Sequence, residues 1–588
     1  TLYLATGQNV KLNTNANDID FNGQITGSGS LEKTGTGTLT LSGTNTYSGG
    51  TTVSAGTLAG DTSSLQGAIT NYAAVEFNQT AAGTYAGVMS GTGGLSKTGS
   101  GTLTLSGVNT YTGLTTVQGG TLELGSGTGS IGSSSGLTLY GGSTFRTNGQ
   151  SHTLDGKTLS VRGQNATYDG NLHATGATLN FIAPVSVSQP LLNVTGTADI
   201  TGSAVNVGVS GGTSLPKGTQ LTLIQTAPGN LTDNNLTQGS GIVEAGVTTI
   251  YGLSLTPDPL TGLLRGTVTS GGAAEQAKAL SEGFLGGAVL VNQGADLMAG
   301  QGMSEAVSAA RRHGRGSFGA LSGGSLRYDT GSHVDMNSLS LMAGLSYGAA
   351  LKPGNLALGA FFEYGNGAYD SYNAFSNAAS VHGDGDIDHM GGGILGRMDF
   401  SGSGPGHFYA EASGRAGRVH NEYSSADLRD SQGRKADYDS SAAYYGIHAG
   451  AGYLWKITDK ASLDLSGKYF WTRQAGDSVR LSTGEKLRFK DVDSSRLRLG
   501  VRYAHVINEY LSPYAGAAYE HEFDGKARAS SNGFAIDAPS LRGDTGIGEL
   551  GLSLKPSPSL PLSFDLGVQG YVGKREGVTG SLQARWAF

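Results

Sequence analysis

Two short stretches in the first half of the sequence carry residue types that could do chemistry. Asp18 and Asp20 alternate along a predicted strand and share one face, where paired carboxylates could serve as the acid pair of a polysaccharide hydrolase. Ser96-Lys97-Thr98, after Gly91, approaches a phosphate-binding loop, but a serine stands where that motif needs glycine and no βα unit follows. For both stretches, a role in surface solvation or in turn structure is favoured over a functional site.

Two further stretches lie in the second half. The run from His382 to His389, HGDGDIDH, resembles a cation-binding loop, but His389 and Leu395 occupy the glycine and glutamate positions of a calcium loop, so a solvated outer loop is favoured. Arg542, Gly543 and Asp544 form the tripeptide that integrin ligands carry, a weak adhesive candidate because three-residue matches are common. Residues 1–265 hold no G-x-S-x-G motif with a plausible triad, so we assign no catalytic residue, cofactor or metal ligand.

The composition excludes several classes of protein. The 588 residues include no cysteine, which excludes a disulfide scaffold, a thiolate zinc site and a cysteine nucleophile. A net charge of −7 argues against a nucleic-acid partner held by bulk charge. The chain also contains 99 glycines. Charged residues are unevenly distributed, because residues 1–265 carry 20 charged side chains, whereas residues 266–588 carry 63 and all three tryptophans. The two halves of the chain therefore differ clearly in composition.

The first half repeats itself. Residues 27–58 and 91–122 are identical at 23 of 32 positions with an offset of 64. Apolar residues with a period of two, such as Leu39 and Leu41, predict strands, and the glycines and asparagines between them predict turns. Short strands at close spacing with little charge predict a solenoid, most simply a β-helix. Residues 150–265 keep the pattern without the exact repeat and are expected to cap the stack.

Residues 273–312 predict a single amphipathic helix. Apolar residues recur there at helical spacing, namely Ala277, Leu280, Phe284 and Val291. Gly287, one of several small residues in this stretch, lies on the same predicted helix. The uncharged apolar stretch GFLGGAVLV is far shorter than the roughly 20 residues needed to span a bilayer as a helix. Its glycines lower helix propensity, and the need for a thin helix would explain them.

The remaining chain predicts twelve strands with alternating faces. These are 316–328, 334–349, 354–367, 387–400, 406–420, 441–457, 461–474, 494–507, 509–523, 542–556, 560–572 and 577–588. A soluble sandwich also alternates, but these strand lengths and the alternation of short turns with long loops (368–386, 421–440, 475–493, 524–541) favour a transmembrane β-barrel. The polar face, expected to line the lumen, includes Glu411, Arg415, Arg496, Arg498, Arg502 and Asp565.

A β-solenoid, a small-residue helix and twelve strands in this order resemble a classical (type Va) autotransporter of Gram-negative bacteria. The two repeats resemble its passenger-associated transport repeat, and the last strand, with Leu582, Trp586 and Phe588, resembles its barrel assembly signal. The resemblance implies an all-β fold with a right-handed parallel β-helix passenger (1–149), an autochaperone-like cap (150–265), a linker with a pore-spanning α-helix (266–312) and a 12-stranded antiparallel transmembrane β-barrel (313–588).

The same resemblance implies an outer-membrane protein whose barrel translocates and anchors a passenger displayed on the cell surface. We expect a non-enzymatic, adhesive passenger that requires no cofactor. We also expect a monomer that meets outer-membrane lipids, lipopolysaccharide, periplasmic chaperones, the barrel assembly machinery and a surface receptor. The alternative is an enzymatic passenger (protease, esterase or polysaccharide-degrading) whose catalytic part lies upstream of Thr1. Because TLYLATGQNV has no charged or apolar leader region, we expect a mature or truncated product.

Overall fold

The computed structural model describes all residues except 185–186, 211–214, 239–241, 311–313, 402–403, 431, 558–559 and 588. The described chain forms two compact units. The first comprises Thr1–Gly246 and Ile250–Gly271, and the second comprises Val247–Thr249 and Gly272–Phe588.

The first unit is a parallel β-solenoid, as predicted. Each strand pairs in parallel with a strand about one turn later in the chain, as Leu31 pairs with Thr51 and Leu95 with Thr115. One turn therefore takes about 20 residues, and the offset of 64 between the repeats corresponds to about three turns. Inward leucines such as Leu39 and Leu103 are at most 1% exposed, so the apolar positions form the continuous core that a solenoid needs.

The solenoid strands are short throughout. Up to residue 146 they are Leu2–Leu4, Asn9–Asn13, Ile19–Phe21, Ile25–Gly27, Ser30–Thr34, Thr38–Leu41, Thr51–Val53, Thr57–Gly60, Ile69–Asn71, Ala74–Asn78, Gly83–Tyr85, Met89–Ser90, Gly94–Thr98, Thr102–Leu105, Thr115–Val117, Thr121–Leu124, Gly136–Tyr140 and Thr144–Arg146. They continue as Thr158–Arg162, Ala166–Asp169, Leu172–His173, Thr178–Ala183, Leu192–Val194, Ala198–Asp199, Ala204–Val209, Gln220–Gln225, Leu231–Thr232, Thr237–Gln238, Ile242–Ala245, Thr249–Asp258 and Leu263–Ala273.

An antiparallel strand closes the C-terminal end of the solenoid. Gln220–Gln225 pairs in antiparallel with Leu263–Ala273, which occupies hydrogen-bonding groups that would otherwise form an open sheet edge. This strand runs into the segment that the sequence assigns to the linker (266–312), because Leu264 and Val268 alternate with polar residues and are fully buried. The linker therefore begins later than expected.

The linker helix has three parts. A 3₁₀ turn (Glu275–Ala277) leads into helix α1 (Lys278–Leu297), a π-turn (Met298–Gly302) follows, and helix α2 spans Met303–Ala310. In the part of the chain that the structure describes, no helix is both long and apolar enough to cross a membrane.

The second unit is built around a closed antiparallel barrel of twelve strands, as predicted. Barrel strands 1 to 12 are Arg315–Asp329, His333–Leu351, Gly354–Asn373, Val381–Phe400, Gly406–Arg429, Lys435–Lys456, Ala461–Gln474, Val492–His505, Leu511–Glu522, Gly543–Leu554, Leu562–Gly573 and Arg575–Ala587. Barrel strand 1 pairs with barrel strand 12, for example Leu321 with Leu582, and this pairing closes the sheet.

Apolar side chains cover the outside of the barrel. Leu345, Ile394, Phe408 and Leu550 are each between 65% and 68% exposed, and they belong to a wider set of exposed Leu, Ile, Val, Phe, Tyr and Trp on all sides of the sheet. A soluble sandwich would bury such residues, whereas a lipid-facing barrel exposes them.

The long-loop end of the barrel is more regular than the sequence predicts. The segments 368–386 and 421–440, expected to be loops, are largely strand, because inward residues such as Tyr369, Tyr423 and Tyr438 continue the alternation. The segments 475–493 and 524–541 contribute a four-stranded outer sheet instead, made of Ser478–Arg480, Lys486–Phe489, Ala529–Ser531 and Phe534–Ile536.

Candidate functional site: the helix-filled pore

Helix α1 lies inside the barrel. It packs against barrel strands 2 to 8, and 17 of its 20 residues are buried. Burial on every side requires walls on every side. The residues that the sequence places on the linker helix are spaced three or four residues apart and so share one face. All of them are buried: Ala277 in the 3₁₀ turn, and Leu280, Phe284, Gly287 and Val291 in α1.

Glycines bring the helix backbone against the wall. A Cβ atom added at Gly283 would lie 2.5 Å from the Tyr423 ring, and one at Gly286 would lie 2.8 Å from Cδ1 of Ile387. At Gly287 the Cβ would lie 2.8 Å from Oε1 of Gln474. These glycines lower helix propensity, but they occur where the helix backbone lies close to the wall. A larger residue at any of the three positions would require the wall to move.

Aromatic rings surround the outer part of α1. This aromatic collar consists of Phe284, Tyr369, Tyr423, Tyr438 and Phe489. Phe284 stacks on Phe489 of the outer sheet with ring centroids 4.2 Å apart, and the Tyr438 hydroxyl donates to the Leu280 carbonyl at 2.7 Å. The outer sheet and the barrel wall therefore contact the same segment of the helix.

Below the collar, three arginines share one carboxylate of the helix. This Arg triad consists of Arg496, Arg498 and Arg575, and each approaches an Asp296 carboxylate oxygen at 2.7 Å. Glu520 on the wall accepts hydrogen bonds from the same three guanidinium groups, the shortest at 2.5 Å from Arg498. Buried cations of this kind need such partners, because an unpaired buried charge is costly.

A second group of wall residues also reaches the helix backbone. Arg415 donates to Glu363 at 2.7 Å and to the Val291 carbonyl, and the Tyr444 hydroxyl donates to the other Glu363 oxygen at 2.6 Å. Arg415 is 5% exposed, so its guanidinium is held between the helix and the wall.

The remaining predicted lumen residues also point inward. Glu411 forms an ion pair with Lys468 at 2.8 Å, and Lys468 donates to the Ala299 carbonyl in the π-turn at 2.6 Å. Arg502 lies 3.6 Å above the Tyr514 ring, whose hydroxyl donates to Asp565 at 2.7 Å.

The π-turn borders a polar cavity of about 180 Å³. Asp296, Gly300 and Gln301 line it from the helix side, and Arg502 and Glu549 are among its wall residues. Aromatic side chains thus fill the lumen near the outer sheet, whereas a polar cavity lies beside the π-turn.

The repeats contain a feature that sequence reasoning missed: buried lysines without an acidic partner. Lys33 and Lys97 are fully buried. The Lys33 ammonium donates to the carbonyls of Thr34, Gly35 and Ala55 at 3.0, 2.8 and 3.0 Å, and Lys97 makes the equivalent bonds to Thr98, Gly99 and Gly119. Their position two residues after Leu31 and Leu95, on the inward face, was the available signal.

An asparagine that the two repeats share, Asn45 in the first and Asn109 in the second, is buried as well. Asn45 accepts from the Ile25 amide at 2.7 Å and donates to the Ser64 carbonyl, and Asn109 accepts from the Met89 amide at 2.8 Å. Asn45 and Asn109 thus each link neighbouring turns of the solenoid. The repeat signature therefore describes a scaffold, and Lys97 is not available to a phosphate group.

In the Asp18/Asp20 pair, Asp18 is engaged by the backbone of the neighbouring solenoid turn. Asp18 precedes the strand Ile19–Phe21, and its carboxylate accepts the Thr38 amide at 2.7 Å. This hydrogen bond holds the pKa of Asp18 below its usual range. Asp18 thus links two neighbouring solenoid turns through a hydrogen bond from the backbone to its side chain.

The two candidate motifs of the second half are parts of the barrel wall. His382, Asp384, Asp386 and Asp388 alternate outward on barrel strand 4, which corrects the expected loop, and His389 points inward. Among the described residues, no group of three or more His, Asp or Glu could hold a metal ion. In the tripeptide, the Asp544 carboxylate is engaged by Tyr519 at 2.5 Å and His521 at 2.6 Å.

The last barrel strand completes the wall. Leu582 and Trp586 face outward and are 44% and 41% exposed, whereas Phe588 lies outside the described residues. Its role as an assembly signal stays a prediction.

Family models match both units. Residues 314–567 match the autotransporter β-domain, and residues 31–59 and 95–124 match the passenger-associated transport repeat. No curated protein matches the chain.

Solved translocator domains resemble the second unit. The β-domain of the Bordetella autotransporter BrkA is 16% identical with a TM-score of 0.36, covering 47% of this chain and 100% of its own. The NalP translocator domain of Neisseria meningitidis is 10% identical with a TM-score of 0.38, covering 51% and 98%. The AIDA-I transport unit of Escherichia coli is 17% identical with a TM-score of 0.35, covering 47% and 89%.

The family matches agree with the order of elements along the chain. Passenger repeats lie in the parallel solenoid, the linker helix occupies the lumen, and the β-domain match falls on the twelve-stranded barrel. The protein is an autotransporter of the outer membrane with a surface-exposed β-solenoid passenger.

Proposed function

We propose that the displayed solenoid acts in adhesion or another surface interaction, and that it is not an enzyme. Secretion across the outer membrane follows from the β-domain and the repeats, and the helix-filled pore describes the state after the passenger has passed. The observation that carries the adhesive proposal is the use of the polar residues of the repeats. Lys33, Lys97, Asn45 and Asn109 are engaged in internal hydrogen bonds, which leaves the exposed side chains of the solenoid as its surface for contacts.

The proposal places adhesion on the solenoid rather than on Arg542–Asp544. The Asp544 carboxylate already has two partners on the barrel wall, so a receptor cation would have to displace them.

A display experiment tests the proposal. Cells that express the full chain should bind host-cell or bacterial surfaces, and cells that express residues 272–588 alone should not. A full chain with Asp544→Asn is the matched control and should bind normally. Equal binding with and without the solenoid would contradict adhesion, and hydrolysis of protein, ester or polysaccharide substrates by the displayed passenger would favour the enzymatic alternative.

We further propose that periplasmic chaperones and the barrel assembly machinery insert the barrel as a monomer among outer-membrane lipids and lipopolysaccharide. The exposed apolar face of the last strand, with Leu582 and Trp586, supports recognition of this strand during assembly.

Deletion of Phe588, or Phe588→Ser, should leave the protein in the periplasm, where it is degraded. Heat-modifiable mobility on gels measures assembly, and Asp544→Asn serves as a neutral control. A normal yield of heat-modifiable barrel from the deletion would contradict the assembly signal.

A further inference from the structure

Beyond Lys278, its first residue, the helix inside the pore carries only acidic charged side chains. From residue 279 to residue 310 its charged side chains are Glu282, Asp296 and Glu305, and no Lys or Arg occurs in this stretch. All three acidic residues are buried or nearly so, with side-chain exposures of 12% for Asp296 and 4% for Glu305 and a residue exposure of 0% for Glu282.

Each of these carboxyl groups meets its own partners on the wall. Glu282, at the long-loop end, accepts from Thr330 at 2.7 Å and from Asn373 at 2.8 Å. Asp296, in the middle, is held by the Arg triad at 2.7 Å. Glu305, at the short-turn end, is 3.3 Å from Arg585 on barrel strand 12.

The three contacts together allow one axial position of the helix. A slide by one helical turn, about 5.4 Å, would break hydrogen bonds and ion pairs of this length at all three levels at once. The two intervals, 14 residues from Glu282 to Asp296 and 9 from Asp296 to Glu305, are unequal, so a slide that moves one carboxylate onto a neighbouring partner set leaves the others unmatched.

The sequence of the exported part shows that this spacing is unique. Within residues 1–310, three other acidic pairs lie 14 residues apart: Asp18/Glu32, Asp155/Asp169 and Glu244/Asp258. The positions nine residues further on are Leu41, Thr178 and Thr267, none of which is acidic. A helical passenger segment in transit could therefore satisfy at most two of the three levels.

We propose that Glu282, Asp296 and Glu305 form a three-level stop that fixes how far the chain emerges before it comes to rest in the pore. The proposal rests on the proposed secretion route of the passenger through this barrel. The Arg triad is the central element of the stop, since without Asp296 three buried guanidinium groups would share the single carboxylate of Glu520.

The test measures helix position by disulfide crosslinking, which the absence of native cysteine makes clean. Gly287→Cys with Gln474→Cys reports the native position, because a Cβ at Gly287 lies 2.8 to 3.3 Å from the Gln474 side chain. Val291→Cys with Gln474→Cys reports a helix displaced outward by one turn. In the otherwise unchanged protein, the 287–474 crosslink should dominate.

Moving the central carboxylate should move the helix. In Glu282→Gln/Asp296→Asn/Gly300→Asp/Glu305→Gln, the one remaining carboxylate lies four residues after position 296, and Gly300 has nothing within 4 Å of an added Cβ, so a side chain fits there. The 291–474 crosslink should then become the major product. Asp464→Asn is the matched control, since it removes a carboxylate from the wall of the same cavity and should leave the 287–474 crosslink dominant.

Two outcomes would overturn the stop. One is an unchanged 287–474 crosslink in the relocated variant, and the other is an unchanged crosslink in Glu282→Gln/Asp296→Asn/Glu305→Gln. If the relocated variant fails to assemble, the second variant must by itself spread the crosslinks over both pairs. Surface display of the passenger is measured in parallel: its absence in the parent would contradict the secretion route itself, whereas normal display with unmoved crosslinks contradicts the stop alone.

Discussion

At the residue scale, the buried lysines show how a solenoid with little charge can stabilise its corners. Three carbonyl acceptors around one ammonium use all its N–H donors, so Lys33 and Lys97 close turns that have no acidic neighbour. Burial lowers the pKa of Lys97 to about 8 and also lowers that of Lys33.

The lowered pKa of Lys97 predicts a pH dependence of passenger stability. Between pH 8 and the ordinary pKa of 10.5, the unfolded chain binds a proton that the folded chain has released, so the free energy of unfolding rises with pH in that window. In Lys97→Met this rise should be smaller, because only Lys33 then contributes to it, and at pH 7 the variant should lose about 2 kcal/mol because three carbonyls lack a donor.

The urea midpoint for proteolysis of the full chain, measured at several pH values, checks both effects. Lys217→Met, at an exposed lysine, is the control. An identical pH slope in Lys97→Met and in the parent would contradict the assigned proton.

The close approach of the helix to the wall at Gly287 predicts that a large side chain does not fit at this position in the pore. Gly287→Trp should stop the helix from seating, because a Cβ there already approaches Gln474 to 2.8 Å and an indole ring has no space beyond it. Surface display of the passenger should fall, while heat-modifiable barrel still forms. Gly300→Trp, which meets no atom within 4 Å at its Cβ, is the matched control, and equal display of both variants would refute this prediction.

At the element scale, the helix divides the lumen into an outer part packed with aromatic side chains and an inner part with a polar cavity. The aromatic collar packs around α1, with Phe284 stacked on Phe489, whereas the cavity of about 180 Å³ lies beside the π-turn. The barrier to ions therefore lies at the collar rather than along the whole pore.

Removal of the helix should open the pore. A chain that begins after residue 310 should conduct far more in planar bilayers than one that begins at Gly272, because α1 fills the collar. Phe284→Ala in the longer chain should give an intermediate conductance, since it removes one ring of the collar. Equal single-channel conductance of the two chains would rule out the helix as the plug.

At the scale of the whole molecule, the capped end of the solenoid is the expected starting point for passenger folding. A stack grows from the end that first buries its apolar face, and residues 150–265 contain fully buried strand residues such as Leu192, Leu223 and Ile224 together with the antiparallel closing strand. The autochaperone role of this region stays a prediction.

Limited proteolysis and one substitution test that role. Proteolysis of the displayed passenger should leave a resistant fragment at about 150–265, while the repeats fray first. Leu223→Asp should cost about 3 kcal/mol by burying an unpaired carboxylate and should reduce display while the barrel assembles. Thr222→Asp, on the half-buried face of the same strand, is the control. A resistant fragment at 1–120, or normal display of Leu223→Asp, would show that folding starts elsewhere.

Much of the architecture was predictable because it depends on local periodicity. Alternating apolar residues gave the twelve barrel strands, and the 64-residue offset gave the solenoid, since both patterns report which face of a strand is buried. The helix could be identified from its spacing, and its glycines indicated a thin element before any wall was known.

Other features depended on residues that are distant in sequence. The Arg triad draws on barrel strands 8 and 12 to hold Asp296, and the collar joins Phe284 to Phe489 of the outer sheet. The carbonyl partners of Lys33 and Lys97 lie up to a full solenoid turn away. The sequence by itself determined which side chains face inward, because that depends on alternation along one strand. Only the tertiary structure decided what each inward side chain meets, because that depends on the register between strands and on the position of the helix.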